Sequence, residues 1–332
     1  MIKPKIVVLG AGNFGTCLAL HLARKGHATQ IWARKEHIAR AISEKHLNPD
    51  YLADQRLPDN LLGFSNFDAL TSKIEILVVA VPTQFLRAVL PLALPYLAPD
   101  ATVVSTVKGI EQNSLLFPSQ LLAELGVLAK DILVLSGPSF AAEIAQQLPT
   151  ALALAGQNQL KVKQIQSLFH TPKLRIYSNR DPVGLELSGA LKNVIAIAAG
   201  ACNGLGFQDN SKAALLTRGL AEIMRLGVTL GAKERTFCGL GGVGDLSLSC
   251  SSNQSRNFRV GFNLAIGRPL AEILMSLGSI AEGVQTARSV YLLAEKHKVD
   301  LPICSAVYRV LYENAQIETV FHDLIHREQS EE

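Results

Sequence analysis

Hydrophobic and polar positions along this chain fall into two regimes. Up to about Leu187, short apolar runs rich in β-branched residues alternate with segments whose apolar positions recur at helical spacing. The runs Lys5–Leu9, Thr29–Trp32, Ile76–Ala80, Thr102–Thr106, Ile132–Ser136, Ala151–Ala155 and Leu174–Tyr177 read as strands. Helix-length segments such as Gly12–Lys25 and Gln84–Tyr96 lie between several of them. A strand with one wet face would alternate apolar and polar residues. These are apolar nearly throughout, which predicts a mostly parallel sheet covered by helices on both faces. After Asp181-Pro182 the strand signal almost vanishes, and helical spacing runs through Glu186–Ala201, Lys212–Leu230, Arg288–Lys296 and Ser305–Asn314. The expectation is an α/β domain over residues 1–187 and a mainly helical one over 188–332. There is no internal repeat, and only Glu328–Glu332 read as a frayed tail.

Composition narrows the function class. A chain of 332 residues is too long for one ordinary core, and 48% hydrophobic with 18% charged residues suits a globular enzyme. The net charge of +4 is spread without a dense Lys/Arg tract, which argues against nucleic acid and suits small anionic ligands. Five cysteines, an odd number with no CxxC pair, read as small buried hydrophobes in a reducing compartment. The eight histidines show no metal-ligand spacing, so no metal site is expected. Met1-Ile2-Lys3-Pro4 runs straight into the first strand, leaving no room for a signal peptide. No apolar run reads as long enough to span a bilayer, so a cytoplasmic protein without an integral membrane segment is expected.

Gly10-Ala11-Gly12-Asn13-Phe14-Gly15 follows the first strand and opens a helix. In that context Gly10 permits a tight turn, Gly12 lets backbone approach a pyrophosphate, and Gly15 lets helix and strand pack closely. The helix N-terminus offers unpaired N–H groups to phosphate. This is the dinucleotide pattern of a Rossmann-like, doubly wound domain. A second match to the same pattern, Gly239–Gly244, follows no strand and leads into the polar stretch Ser249–Asn257, so it is set aside. At the end of the second strand stands Trp32-Ala33-Arg34-Lys35 rather than the acid that usually holds a ribose 2′-hydroxyl. Arg34 suits a 2′-phosphate, so NADP is favoured with NAD still open; the alternative is a solvated surface arginine.

Lys192 sits in the middle of Leu185–Gly200, a segment apolar on nearly every face and therefore buried. A buried lysine is costly unless paired or used. It is either a proton donor or one half of a salt bridge, to Glu186 or to a carboxylate from elsewhere.

The segment Glu186–Gly200 resembles the catalytic-lysine segment of the bacterial NAD(P)-dependent glycerol-3-phosphate dehydrogenases. So do Gly10–Thr16, Ser105–Glu111, Gly137–Ala141, Asp209–Ala214, Gly244–Leu246, Ser255–Asn257 and Glu282–Val284, in order along essentially the whole chain. The resemblance implies reversible reduction of dihydroxyacetone phosphate to sn-glycerol 3-phosphate, for phospholipid synthesis. It implies that Lys192 exchanges the proton at the substrate carbinol and that Lys108 contacts cofactor and substrate. Gly137, Ser139 and Asp245 then contact substrate, as do Ser255, Arg256 and Asn257, the last two at its phosphate. Cofactor contacts fall at Gly10, Gly12, Asn13, Phe14, Gly15, Arg34, Lys108, Ala141, Arg256 and Glu282. Read from the residues alone, several have rivals: Ser139 as a helix N-cap, Asp245 as a local hydrogen bonder in a glycine-rich turn, Lys108 as a surface lysine. Asn203, Phe207-Gln208 and Asn13 depart from the family's usual residues, without removing a catalytic group.

Other reductases of similar two-domain build, acting on a 2-hydroxyacid or ketopantoate, are the enzymatic alternative. A redox sensor that binds NAD(P)H is the non-enzymatic one. A homodimer is an open expectation from so apolar a helical half.

Overall fold

A computed structural model describes residues 4–278 and 280–327, so the tail expectation at Glu328–Glu332 lies outside the described residues. Eight strands form one sheet: β1 (Ile6–Leu9), β2 (Thr29–Trp32), β3 (Leu61–Phe64), β4 (Ile74–Val79), β5 (Leu97–Ser105), β6 (Ile132–Ser136), β7 (Thr150–Gly156) and β8 (Leu174–Asn179). Their order is β3-β2-β1-β4-β5-β6-β7-β8. Pairing is parallel except between β6 and β7, so β7 and β8 run against the other six. The chain crosses from one side of β1 to the other between β3 and β4, which puts the topological switch at the carboxyl ends of β1 and β4.

Burial explains which strands the sequence shows. Every residue of β1 is fully buried, and Ile6 and Val8 share one core cluster with Leu18 and Leu22 of the helix Asn13–Arg24, with Ile31, and with Phe169. β3 was not expected. It is four residues long and carries Gly63, whose missing side chain makes room for the helix Glu36–Glu44; a Cβ there would fall 2.4 Å from the carbonyl oxygen of Ala39. Close helix packing selected a residue with low strand preference. β5 starts at Leu97, earlier than the expected Thr102; its first four residues are half-buried or exposed and include Pro99, so they do not read as a strand in the sequence.

The chain divides into two compact units. The first comprises residues 1–107 and 117–185, and the second 108–116 and 186–332. The short segment 108–116 therefore belongs with the helical half, an exchange that a single cut at 187/188 does not contain. Among the described residues beyond Asn179 there are helices and no strands. The expected break at Asp181-Pro182 is a helix start, with Pro182 as the first residue of Pro182–Gly204.

That helix corrects one expectation. At 23 residues it is long and apolar enough to cross a membrane by length and composition, although no such run is expected from the sequence. Nearly all of its most apolar stretch is buried inside the protein, and this accounts for its apolar character. The cysteine expectation also needs amendment. All five are free and four are buried, but Cys238 is exposed.

In the second unit, small residues bring helices into backbone contact. A Cβ on Gly200 would lie 1.9 Å from the Phe258 carbonyl oxygen, and one on Gly261 would lie 1.8 Å from that of Ile197. The helix Pro182–Gly204 and the helix Arg256–Ala265 thus touch main chain to main chain, which fixes where their polar residues stand.

Candidate functional site

In the first unit, the glycine loop has the form its sequence requires. Gly10 sits at φ +115°, a backbone state that L side chains rarely adopt, and a Cβ there would lie 3.0 Å from the Ala80 carbonyl oxygen. A Cβ on Gly15 would fall 1.9 Å from the carbonyl oxygen of Gly10, so helix and strand close up only because both lack side chains. Gly12 differs. It is the N-cap of the helix Asn13–Arg24, and nothing lies within 4 Å of the position its Cβ would take. Its missing side chain satisfies no packing need and leaves the helix N-terminus open. No side chain caps that terminus, and no acid stands in its first turn. Exposed Asn13 and half-buried Phe14 are the first two helical residues. This open, uncapped, acid-free end fits a bound pyrophosphate. Arg34 is exposed just beyond β2, while its neighbour Lys35 is paired with Asp50 at 3.2 Å.

Two further candidates in this unit lie past the end of β6. Gly137 has φ +138°, and the Ser139 hydroxyl donates to its carbonyl oxygen at 2.9 Å. The N-cap of the short helix Ala141–Ala145 is Phe140, so Ser139 is not the helix cap that the sequence allowed. Ala141 is that helix's first residue.

The second unit holds a buried charge cluster. Asp245 is 1% exposed, and its two carboxylate oxygens each take an ammonium: Lys192 Nζ on Oδ1 and Lys108 Nζ on Oδ2, both at 2.6 Å. Lys192 Nζ also donates to Ser249 Oγ at 2.7 Å. The partner carboxylate left open by the sequence is Asp245, not Glu186. The local turn alone does not account for Asp245, because both its oxygens reach side chains distant in sequence. Ser249 was missed by sequence reading. Its only signal is its place one turn after Asp245 on the helix Asp245–Ser251, which puts both on the same face.

Each member of the cluster is placed by its backbone. The stretch Leu240–Gly244 forms a wide π-type turn with non-helical dihedrals at Gly242, where a Cβ would sit 2.0 Å from the Phe237 carbonyl oxygen. The second glycine motif therefore serves packing that delivers Asp245 to the head of its helix. Lys108 lies on the segment anchored by Ser289, whose hydroxyl donates to the Ile110 carbonyl at 3.1 Å. Lys192 is buried in the middle of the long apolar helix.

The electrostatics follow from this arrangement. Burial lowers the Lys192 pKa to about 8, against the pull of Asp245, which favours the ammonium; the nearby Lys108 charge adds to the lowering. Lys192 is thus an ammonium that can lose its proton near neutral pH, held by two acceptors at fixed positions.

A second polar group gathers where three helices meet. Ser255 is the N-cap of Arg256–Ala265, accepting from Phe258 N at 3.3 Å. Buried Asn257 accepts from Gly283 N at 3.0 Å, and a Cβ on Gly283 would fall 2.6 Å from the Asn193 carbonyl oxygen. Ser255 thus caps its own helix, while the Asn257 side-chain carbonyl ties that helix to the head of Glu282–His297. Arg256, by contrast, is exposed on the first residue of its helix. Glu282, half-buried, heads the helix Glu282–His297.

Comparison with known proteins matches both halves of the chain to one family. Residues 5–162 match the family described as NAD-dependent glycerol-3-phosphate dehydrogenase N-terminus, and residues 181–322 match its C-terminus. The chain is 45% identical to glycerol-3-phosphate dehydrogenase [NAD(P)+] of Desulfovibrio desulfuricans, covering 99% of each. It is 44% identical to glycerol-3-phosphate dehydrogenase [NAD(P)+] 2 of Salinibacter ruber, covering 98% of this chain and 95% of that one. The crystal structure of glycerol-3-phosphate dehydrogenase from Coxiella burnetii superimposes with TM-score 0.93 at 35% identity, covering 98% of this chain and 99% of that one. D-mandelate dehydrogenase, at TM-score 0.65 and 12% identity, shares the fold alone, as does a putative 2-dehydropantoate 2-reductase of Enterococcus faecalis at 0.56 and 14%. With both halves of its sequence matched and relatives at this identity along its full length, the chain belongs to the NAD-dependent glycerol-3-phosphate dehydrogenase family.

Proposed function

We propose that this protein catalyses the reversible reduction of dihydroxyacetone phosphate to sn-glycerol 3-phosphate with NADPH or NADH. The observation that carries the reading is the buried Lys192, paired with Asp245 and poised with a pKa of about 8. Reducing a ketone needs an acid at the oxygen that gains negative charge, and an ammonium near its pKa at neutral pH is suited to that work. A sensor that merely binds a dinucleotide needs no such group.

Gly10, Gly12, Asn13, Phe14 and Gly15 would hold the pyrophosphate, Arg34 the adenosine end, and Lys108, Ala141, Arg256 and Glu282 further parts of the cofactor. When bound, the reduced nicotinamide supplies the hydride equivalent to the substrate carbon. Lys192 Nζ donates its proton to the carbonyl oxygen during reduction, and the neutral amine takes the proton back during oxidation. Asp245 aims Lys192 and prevents its charge from being lost to burial, while Ser249 takes a second of its three N–H donors and so directs the third to the substrate. Lys108, held by the other carboxylate oxygen, adds positive charge for the developing alkoxide. Gly137 and Ser139 contact the substrate. Arg256, with Ser255 and Asn257 beside it, binds the substrate phosphate through a charge-assisted fork.

A cytoplasmic enzyme that feeds phospholipid synthesis, working as a homodimer, completes the reading. The deciding experiment follows reduced-cofactor absorbance with dihydroxyacetone phosphate, comparing NADPH with NADH. Dinucleotide binding without turnover would overturn the enzymatic reading, and light scattering would report the dimer.

A further inference from the structure

We infer that Asn48, outside the glycine loop and remote from it in sequence, is a positioning residue for the dinucleotide-binding loop and sets cofactor affinity. The inference rests on the cofactor reading above and concerns only the first unit.

The segment between the helix Glu36–Glu44 and β3 is irregular, yet it is tied down at several points. Leu57 N donates to the His46 carbonyl at 2.8 Å, Leu57 is buried, and Leu52 packs against the sheet core. Asn48 itself is 0% exposed. Its carboxamide is used at both ends. Oδ1 accepts from the backbone N–H groups of Asp50 at 3.2 Å and Tyr51 at 3.3 Å, which folds the segment into a tight turn. Nδ2 donates to the Ala11 carbonyl oxygen at 3.0 Å and to Thr16 Oγ1 at 2.8 Å.

Those two acceptors bracket the part of the loop that would touch phosphate. Ala11 lies between Gly10 and Gly12, and Thr16 lies in the first turn of the following helix. The peptide unit whose oxygen Asn48 holds is the one that carries the Gly12 N–H. Pinning that oxygen fixes the plane of the peptide, and so the direction of an N–H that must face the pyrophosphate. Gly12 has no packing neighbour of its own to do this, since nothing lies near its Cβ position. The open space that admits the ligand also removes the contacts that would hold the backbone still, and Asn48 supplies them from outside. Its turn further connects to the adenosine side, because Asp50 pairs with Lys35, adjacent to Arg34. One buried amide thereby links the loop that would bind phosphate to the strand end that would bind the nucleoside.

The test uses Asn48→Leu in the full chain, which keeps volume and removes both donors and the acceptor. Trp32, the chain's single tryptophan, stands at the end of β2 and reports dinucleotide binding by fluorescence quenching, without turnover. Losing two hydrogen bonds that orient the loop should raise the NADPH and NADH dissociation constants by about tenfold or more. The KM for dihydroxyacetone phosphate at saturating cofactor should stay within about twofold of the parent, since no substrate contact changes. A purely structural role would instead lower the thermal midpoint and the active fraction, with unchanged affinity in the molecules that remain folded.

Unchanged cofactor affinity in folded Asn48→Leu overturns the proposal. Failure of the unsubstituted protein to bind either dinucleotide overturns the cofactor reading instead, so the two failures are distinct. If Asn48→Leu does not fold, Thr16→Val decides. It removes one of the two acceptors at constant volume and should weaken binding about threefold, and no change there overturns the proposal.

Discussion

Replacing Asp245 with asparagine removes one charge and nearly no volume, at the point where two ammonium groups share one carboxylate. In the parent, burial lowers the Lys192 pKa to about 8, so about nine-tenths of Lys192 carries its proton at pH 7. Asparagine deletes the attraction that favours the ammonium and leaves the repulsion from Lys108 in place. An opposite charge in direct contact is worth about 1–3 pKa units, and with a 2.6 Å contact and an almost fully buried carboxylate the upper part of that range applies. The Lys192 pKa should then fall by about that amount, and most of the group should be neutral at pH 7. The signs are fixed: reduction needs the ammonium, so kcat/KM for dihydroxyacetone phosphate falls as pH rises through the pKa. The parent limb should lie near pH 8 and that of Asp245→Asn about two units lower, so the deficit should shrink on acidification. A lysine merely misplaced by the substitution would lose activity by the same factor at every pH. The assay is the pH dependence of kcat/KM with folding checked by circular dichroism. In Lys192→Met the limb should vanish along with most turnover. A limb that stays near pH 8 in Asp245→Asn would refute the account of this cluster.

Three other perturbations probe separate parts of the molecule. Arg34→Asp places a negative charge where a 2′-phosphate would lie, and should weaken NADPH by about tenfold or more while sparing NADH; equal losses for both would remove Arg34 from cofactor discrimination. Arg256→Ala should lower kcat/KM for dihydroxyacetone phosphate by a factor on the order of 10²–10³ and barely alter the slow rate on unphosphorylated dihydroxyacetone. Cofactor affinity must be measured alongside, and equal fractional losses on both ketones with that affinity intact would mean that Arg256 does not read the phosphate. Gly261→Ala puts a methyl 1.8 Å from the Ile197 carbonyl oxygen, so two helices must separate. Overpacking of this kind costs about 1–3 kcal/mol, and an unchanged thermal midpoint would mean that the backbone contact is not tight.

Much of this protein was determined locally and could be read from its sequence. Fully buried parallel strands such as β1 have no wet face, so their apolar runs stand out, and the helix around Lys192 is apolar on nearly every side for the same reason. The loop Gly10–Gly15 is likewise legible, because its glycines stand in a fixed spacing directly after a strand and at the head of a helix. The parts that stayed hidden depend on residues far apart in the chain. β3 escaped notice because Gly63 answers a helix pressing on it rather than a strand preference. The transfer of residues 108–116 to the helical unit was invisible, since nothing local marks it. The deepest limit concerns charge. Sequence placed Lys192 in an apolar helix and left its partner open, because pairing across 53 positions is a tertiary fact. Only the fold brought Asp245 between Lys192 and Lys108 and placed Ser249 beside them. A pKa depends on what surrounds a group in space, so the lysine could be found in the sequence, but its acidity was decided by the packing of the helices that hold it.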